Sequence, residues 1–273
     1  MLDLIPSVIA ILDRVRVLTG KEFRFIEKYE LLDDYVSVRM GLTNSSEHLV
    51  FYTPQSDDIV NHLIAHECVH ILRIWNAPPE KRVIPIATAA TQDRVMSQLQ
   101  SEIARVYPKL LFPVAAEMVS IHYRALIHQL ASQPADPRVE KWLYFEYPDL
   151  REIQAKSLKR QARKAEEALT QTAKSTPVRL YDAAGAMHYA AYRLIDEYTH
   201  LHLCGPFKRN NFRYRGDELY GRARLGQPDT YEGDIALIDQ WAALLGLTGW
   251  FVWQDIEAAD IGNADQVAAR AAR

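Results

Sequence analysis

Apolar residues recur at helical spacing over residues 6–18, where Val8, Ile11, Leu12, Val15 and Leu18 share one side and Asp13, Arg14 and Arg16 lie elsewhere. Gly20 ends that helix. The period then shortens to two: Phe23 and Phe25 flank Arg24, Val36, Val38 and Met40 alternate with Ser37 and Arg39, and residues 49–52 form a short apolar run. Three strands are expected, with turns at Asp33-Asp34 and Asn44-Ser45-Ser46. The helical period returns over residues 57–75. Val60, Ile64, Cys68, Ile71 and Trp75 make a stripe that Ile59, Leu63 and Leu72 widen, so this helix is buried on most sides. Ser56 is its expected cap, Asp57 and Asp58 suit the positive end of its dipole, and Asn76-Ala77-Pro78-Pro79 ends it.

The remaining two thirds of the chain are mostly helical in pattern. Residues 92–107 and 110–130 repeat apolar positions on either side of Pro108. After the break at Pro134 and Pro137, Asp136 can cap a helix that contains Val139, Trp142 and Leu143. Residues 149–174 carry few large apolar side chains and read as an exposed helix with a basic face at Lys156, Lys159, Arg160, Arg163 and Lys164. Residues 182–203 read as a packed helix, and residues 235–253, rich in Leu and Trp, as a last packed element. Residues 205–226 interleave six Lys and Arg with Phe207, Phe212, Tyr214 and Tyr220, and their Gly and Asn content suggests a surface loop. Aromatics among cations can stack on single-stranded nucleic acid, but no nucleic-acid motif accompanies them.

Composition narrows the class. With 48% hydrophobic and 25% charged residues over 273 positions, the chain is long enough for a substantial core and has the profile of a soluble globular protein. A net charge of −3 argues against a general binder of nucleic acid or anionic membrane. Two cysteines are too few for a disulfide framework, which fits a reducing cytoplasm. No stretch approaches the roughly twenty apolar residues that would span a bilayer, and residues 1–12 lack a basic leader and a small-residue cleavage site.

Chemistry concentrates in one helix, where His66, Glu67 and His70 stand in the order His-Glu-Cys-Val-His. Residues four apart stack on one helix face, so the two imidazoles can share a zinc ion, and Glu67 beside them can take a proton from water. Two histidines and a glutamate in so apolar a helix need partners. This string resembles the signature of the zincin metallopeptidases, of gluzincin or aspzincin type. The order of helix, three strands and His-Glu-x-x-His helix also resembles the compact regulatory proteases of the ImmA and IrrE type over the first quarter of the chain.

The resemblance implies an α+β fold: a zincin-like core of N-terminal helix, small three-stranded sheet and His-Glu-x-x-His helix, followed by a mostly α-helical body. Residues 1–148 are then the metallopeptidase core and residues 149–273 a helical extension packed on it. It also implies an edge strand that pairs with substrate, for which residues 35–42 are the candidate. A third zinc ligand is needed. Because Ile-Leu-Arg-Ile-Trp follows His70, the metzincin extension is absent. Glu140, at the start of a helix fixed by two prolines, is the favoured carboxylate. Asp136, one turn before it, competes, since Ala135-Asp136-x-x-Val139-Glu140 resembles an Ala-x-Asp-x-x-Ile-Asn string of predicted bacterial metallopeptidases. Glu117 competes as a carboxylate within an apolar run, in a Glu-Met-Val-Ser order that resembles the third-ligand helix of thermolysin-like enzymes. His188, Tyr189 and Tyr192 are candidates to steady an oxyanion, and His62, one turn before His66, is either a supporting group near the site or, the favoured reading, an exposed histidine near the helix start.

The expected function is hydrolysis of peptide bonds in a protein or peptide substrate, with Zn2+ as cofactor, Glu67 as general base and no membrane or nucleic-acid partner. The alternative is a non-catalytic or regulatory protein that keeps the fold and holds a protein or nucleic-acid partner. An intact Glu67 favours the first, because a structural metal site needs no base.

Overall fold

The computed structural model describes residues 2–28, 36–53 and 57–258. The protein is α+β and predominantly helical. Helix α1 (Pro6–Thr19) is followed by strands β1 (Glu22–Glu27), β2 (Val36–Arg39) and β3 (Glu47–Tyr52) and by helix α2 (Ile59–Asn76). Strand β4 (Val83–Ile86) leads to α3 (Ala89–Gln98), α4 (Gln100–Val106) and α5 (Phe112–Ser132). Then come α6 (Asp136–Glu146), α7 (Arg151–Thr172), α8 (Val178–Thr199), α9 (Asn210–Arg224), α10 (Tyr231–Leu245) and β5 (Val252–Asp255). Among the described residues no helix is long and apolar enough to cross a membrane.

These elements form two compact units that interleave along the chain rather than meeting at residue 148. The first holds the described parts of Met1–Arg82, Arg138–Arg160 and Asp255–Arg273, the second Val83–Pro137 and Gln161–Gln254. The physical reason is apolar: Val139 and Leu143 of α6, with Leu150, are fully buried in the core built by α1, α2, β2 and β3. A division of the chain at residues 148 and 149 would separate Leu150 from the core it fills.

In the first unit, Pro6 opens α1, where a missing N–H costs nothing, and Gly20 closes it in the left-handed region at φ +68° with its N–H on the Arg16 carbonyl. Strand β3 is central in the three-stranded sheet, parallel to β1 and antiparallel to β2, with Val38 opposite Val50. β2 is therefore an edge, and it packs against α2. The expected turn at Asp33-Asp34 and the expected Ser56 cap lie outside the described residues. At the start of α2, Asp57 Oδ1 accepts from the Ile59 N–H at 3.1 Å. Asp58 pairs with Lys156 and Asp57 with Arg160, so part of the basic face of α7 is spent within the unit.

His48 is fully buried at the join of α1 and the sheet. Its Nδ1 accepts the Gly41 N–H at 2.9 Å, which leaves Nε2–H to donate to Thr19 Oγ1 at 3.0 Å; Thr19 in turn donates to the Val15 carbonyl. Burial, with help from nearby Lys21, lowers the His48 pKa to about 4.

In the second unit, β4 pairs with β5, and α3, α5, α8 and α10 enclose Trp241, Trp250 and Tyr123. The expected helix over residues 92–107 is two helices that part at Leu99. The stretch 205–226 is not a surface loop. Most of it is α9, whose Phe212 is 1% exposed, as is the neighbouring Phe207. Glycine explains the difference: a Cβ on Gly216 would lie 2.4 Å from the Tyr189 ring, and one on Gly185 would lie 2.4 Å from the Phe212 ring. These glycines let α8 and α9 approach closely. The cations of α9 are largely engaged too, Arg213 with Asp217, Arg224 with Glu197 and Arg215 with the Leu245 carbonyl.

Candidate functional site

The site belongs to the first unit and is built on α2. His62, His66 and His70 are successive residues four apart on one face, with Glu67 beside His66. Apolar neighbours hold this helix in place: Val60, Ile64, Ala65, Cys68 and Ile71 are buried. Cys68 acts as a small apolar residue, and burial, with Glu67 adding to it, pushes its thiol well above the usual range.

Opposite the histidines stands Glu140 of α6, 1% exposed. Its Oε1 lies 2.7 Å from His66 Nδ1 and its Oε2 lies 2.9 Å from His62 Nε2. Gln154 of α7 donates to Oε2 at 2.6 Å and to the Glu140 main-chain carbonyl at 2.9 Å. Burial by itself would raise the Glu140 pKa. The charge and hydrogen bond of His62 and the hydrogen bond of His66 outweigh it, so the carboxyl is held well below the usual carboxylate range. A carboxylate only accepts, so both facing ring nitrogens carry protons.

This assignment propagates. With Nδ1–H donated to Glu140, the neutral His66 ring presents a lone pair at its other nitrogen, and His66 Nε2 lies 3.1 Å from His70 Nε2. Two nitrogens that each sit about 2.0–2.1 Å from a tetrahedral zinc are about 3.3 Å apart, so the pair needs to open by only a few tenths of an ångström to fit the ion. Both rings are half-buried. Glu67 is half-buried, and among the described residues its carboxylate has no hydrogen-bond partner. His62, His66 and Glu140 also offer atoms within 4.8 Å of one another. Those atoms already meet at hydrogen-bond distances, with both carboxylate oxygens engaged, whereas the two Nε2 atoms converge.

Within the first unit the structure brings His66, Glu67, His70 and Glu140 together. Asp136 opens α6 one turn before Glu140 and is assigned to the second unit. Glu117, also in the second unit, is exposed on α5, so the buried carboxylate expected there is absent. His62 corrects the favoured expectation of an exposed helix start and agrees with the alternative of a group near the site: it is fully buried, and among the described residues its Nδ1 has no hydrogen-bond partner. Its spacing of four before His66 was the available signal. Gln154 had none, since it sits among the polar residues of α7 and is 1% exposed.

The oxyanion candidates lie in the second unit. His188 Nδ1 is 2.7 Å from Gln133 Nε2, its ring stacks on Tyr192, and burial, partly opposed by Asp136, lowers its pKa to about 4. Tyr189 donates to Asp217 at 3.0 Å. Comparison with protein-family models, with curated proteins and with solved structures finds no match for the chain.

Proposed function

We propose that the chain is a zinc-dependent metallopeptidase whose first unit is a zincin-like core. The observation that carries this reading is the convergence of His66 Nε2 and His70 Nε2 at 3.1 Å, with Glu140 setting which His66 nitrogen faces His70 as an acceptor. His66 and His70 would hold the ion. A bound zinc supplies Lewis acidity at neutral pH, acidifying water and polarising a peptide carbonyl. Glu67, half-buried and without a competing partner among the described residues, takes the proton at its carboxylate and passes it to the leaving amine. Glu140 acts through His66 by fixing its tautomer, as carboxylates behind metal-bound histidines do, and Gln154 holds Glu140. β2, at the edge of the three-stranded sheet among the described residues, is the strand that an extended peptide would join. Free Cys68 and Cys204 accord with a cytoplasmic location.

The test is metal content by mass spectrometry together with hydrolysis of unfolded casein. The native chain is expected to carry one zinc, and His66→Ala to lose it. Glu67→Gln is expected to keep the zinc while hydrolysis falls about 10²–10⁴-fold. Of the other carboxylates, Asp136→Asn and Glu117→Gln read out by zinc affinity decide which completes the ligand set. Zinc-free native protein, or full activity in Glu67→Gln, refutes the proposal.

A second reading is a non-catalytic protein that uses the same fold to hold a partner. It is favoured by the same 3.1 Å separation, which also suits an N–H···N hydrogen bond between the imidazoles. Native protein that folds fully without zinc supports it.

A further inference from the structure

Among the described residues, fourteen large apolar side chains are exposed, and six of them fall between Leu110 and Ile121. On α5 and the residue before it they are ordered. Leu111 (78% exposed), Val114 (52%), Met118 (43%) and Ile121 (62%) follow one another at steps of three, four and three residues, and the exposed Ala125 adds a further step of four. Steps that alternate between three and four make a seam of period 3.5, the repeat by which one helix packs along another. The core-facing residues Ala115, Val119, Tyr123, Leu126 and Leu130 occupy the opposite side of α5, so the seam is a second apolar face.

We propose that this face joins two copies of the chain, with their α5 helices antiparallel. The charges beside the seam argue for a second copy and for that direction. Glu117 and Arg124, both exposed, stand seven residues apart on the same flank. When Val114 lies opposite Ala125, and Met118 opposite Ile121, of an antiparallel copy, each Glu117 meets the other copy's Arg124, and the two-fold axis repeats the pair. A parallel copy would instead set this flank against the one that carries His122 and Gln129, which offers no complementary charge. Arg124 reaches Gln92 in the single chain, at an exposed contact that it can exchange.

Sedimentation of the full chain over a concentration series is expected to show a monomer–dimer equilibrium. Ile121→Glu should weaken the dimer at least about tenfold without lowering the Tm measured at dilutions where the native chain is monomeric, because the side chain is exposed in the single chain. Glu117→Arg and Arg124→Glu should each weaken association, and the two together restore it. Direction is read by cross-linking: chains with Val114→Cys mixed with chains with Ala125→Cys should form a disulfide between the two kinds, against the low background of the buried Cys68 and Cys204. A chain that stays monomeric at every concentration overturns the proposal. So do disulfides that form only within each kind, or a charge reversal that the double variant does not rescue.

Discussion

Glu140 is the residue whose replacement tests the geometry of the site most directly. Its two oxygens accept from His62 Nε2 at 2.9 Å, His66 Nδ1 at 2.7 Å and Gln154 Nε2 at 2.6 Å, with the side chain 1% exposed. Glu140→Leu removes the acceptor and leaves two ring N–H groups without one. At about 1–3 kcal/mol for each unsatisfied donor, and in line with the cost of breaking a buried pair from one side, the first unit should lose about 3–5 kcal/mol. Glu140→Gln keeps the shape but replaces one acceptor by a donor. Where the introduced amide N–H meets His66, the imidazole must turn its lone pair to Nδ1 and its proton to Nε2, towards His70. The lone pair that faces His70 is then lost, and zinc affinity should fall about 10–100-fold, the usual effect of removing the carboxylate behind a metal-bound histidine. Competition against a chromophoric chelator measures the affinity. Hydrogen exchange of the α2 amides measures the stability of the first unit separately from the second. If both variants bind zinc as tightly as the native chain, Glu140 does not set the His66 tautomer. If Glu140→Leu costs less than about 1 kcal/mol, the three hydrogen bonds are not what holds this carboxylate.

Three further outcomes are expected. Because the His48 pKa is lowered to about 4 in the folded chain, the unfolded chain binds a proton that the folded chain does not between about pH 6.5 and pH 4. The first unit should keep its full stability above pH 6.5 and lose about 3 kcal/mol as the pH falls to 4, at about 1.4 kcal/mol per pH unit; a stability curve for His48→Gln as steep as that of the native chain would contradict this. Gly185→Ala places a methyl group 2.4 Å from the Phe212 ring and should lower stability by about 1–3 kcal/mol, read by thermal unfolding, whereas Gly221→Ala, with open space around it, should not. Cys68 should resist an aromatic disulfide reagent until the protein unfolds, since it is fully buried and its thiol is held protonated; reaction at the rate of a free thiol would show that α2 opens readily.

Local periodicity made the first unit legible where its elements bury one face. α1, the three strands and α2 each show their period in Val8 to Val15, Phe23 to Phe25, Val36 to Val38 and Val60 to Ile71, and the site histidines sit at a spacing that only a helix turns into proximity. What was illegible depended on distant partners. β4 and β5 lie more than 160 residues apart, each is four residues long, and Pro85 weakens the first as a strand signal. α9 was hidden because Gly216 and Gly221 read as breakers, although Gly216 serves a close helix contact. The burial of His62 and Gln154 follows from Glu140, a residue 78 positions after one and 14 before the other. No window along the chain contains that triangle.

The interleaving of the two units also sets a schedule for synthesis. A nascent chain that has just exposed α2 already carries His66, Glu67 and His70, but Glu140 and Gln154 come only after the whole excursion Val83–Pro137 has been made. At about 5–20 residues per second, the 84 residues between His70 and Gln154 take roughly 4–17 s. Through that interval His66 has no carboxylate to choose its tautomer. A ribosome-bound chain halted within the excursion should therefore hold zinc weakly, and the proposed site would mature only once α6 and the start of α7 have emerged.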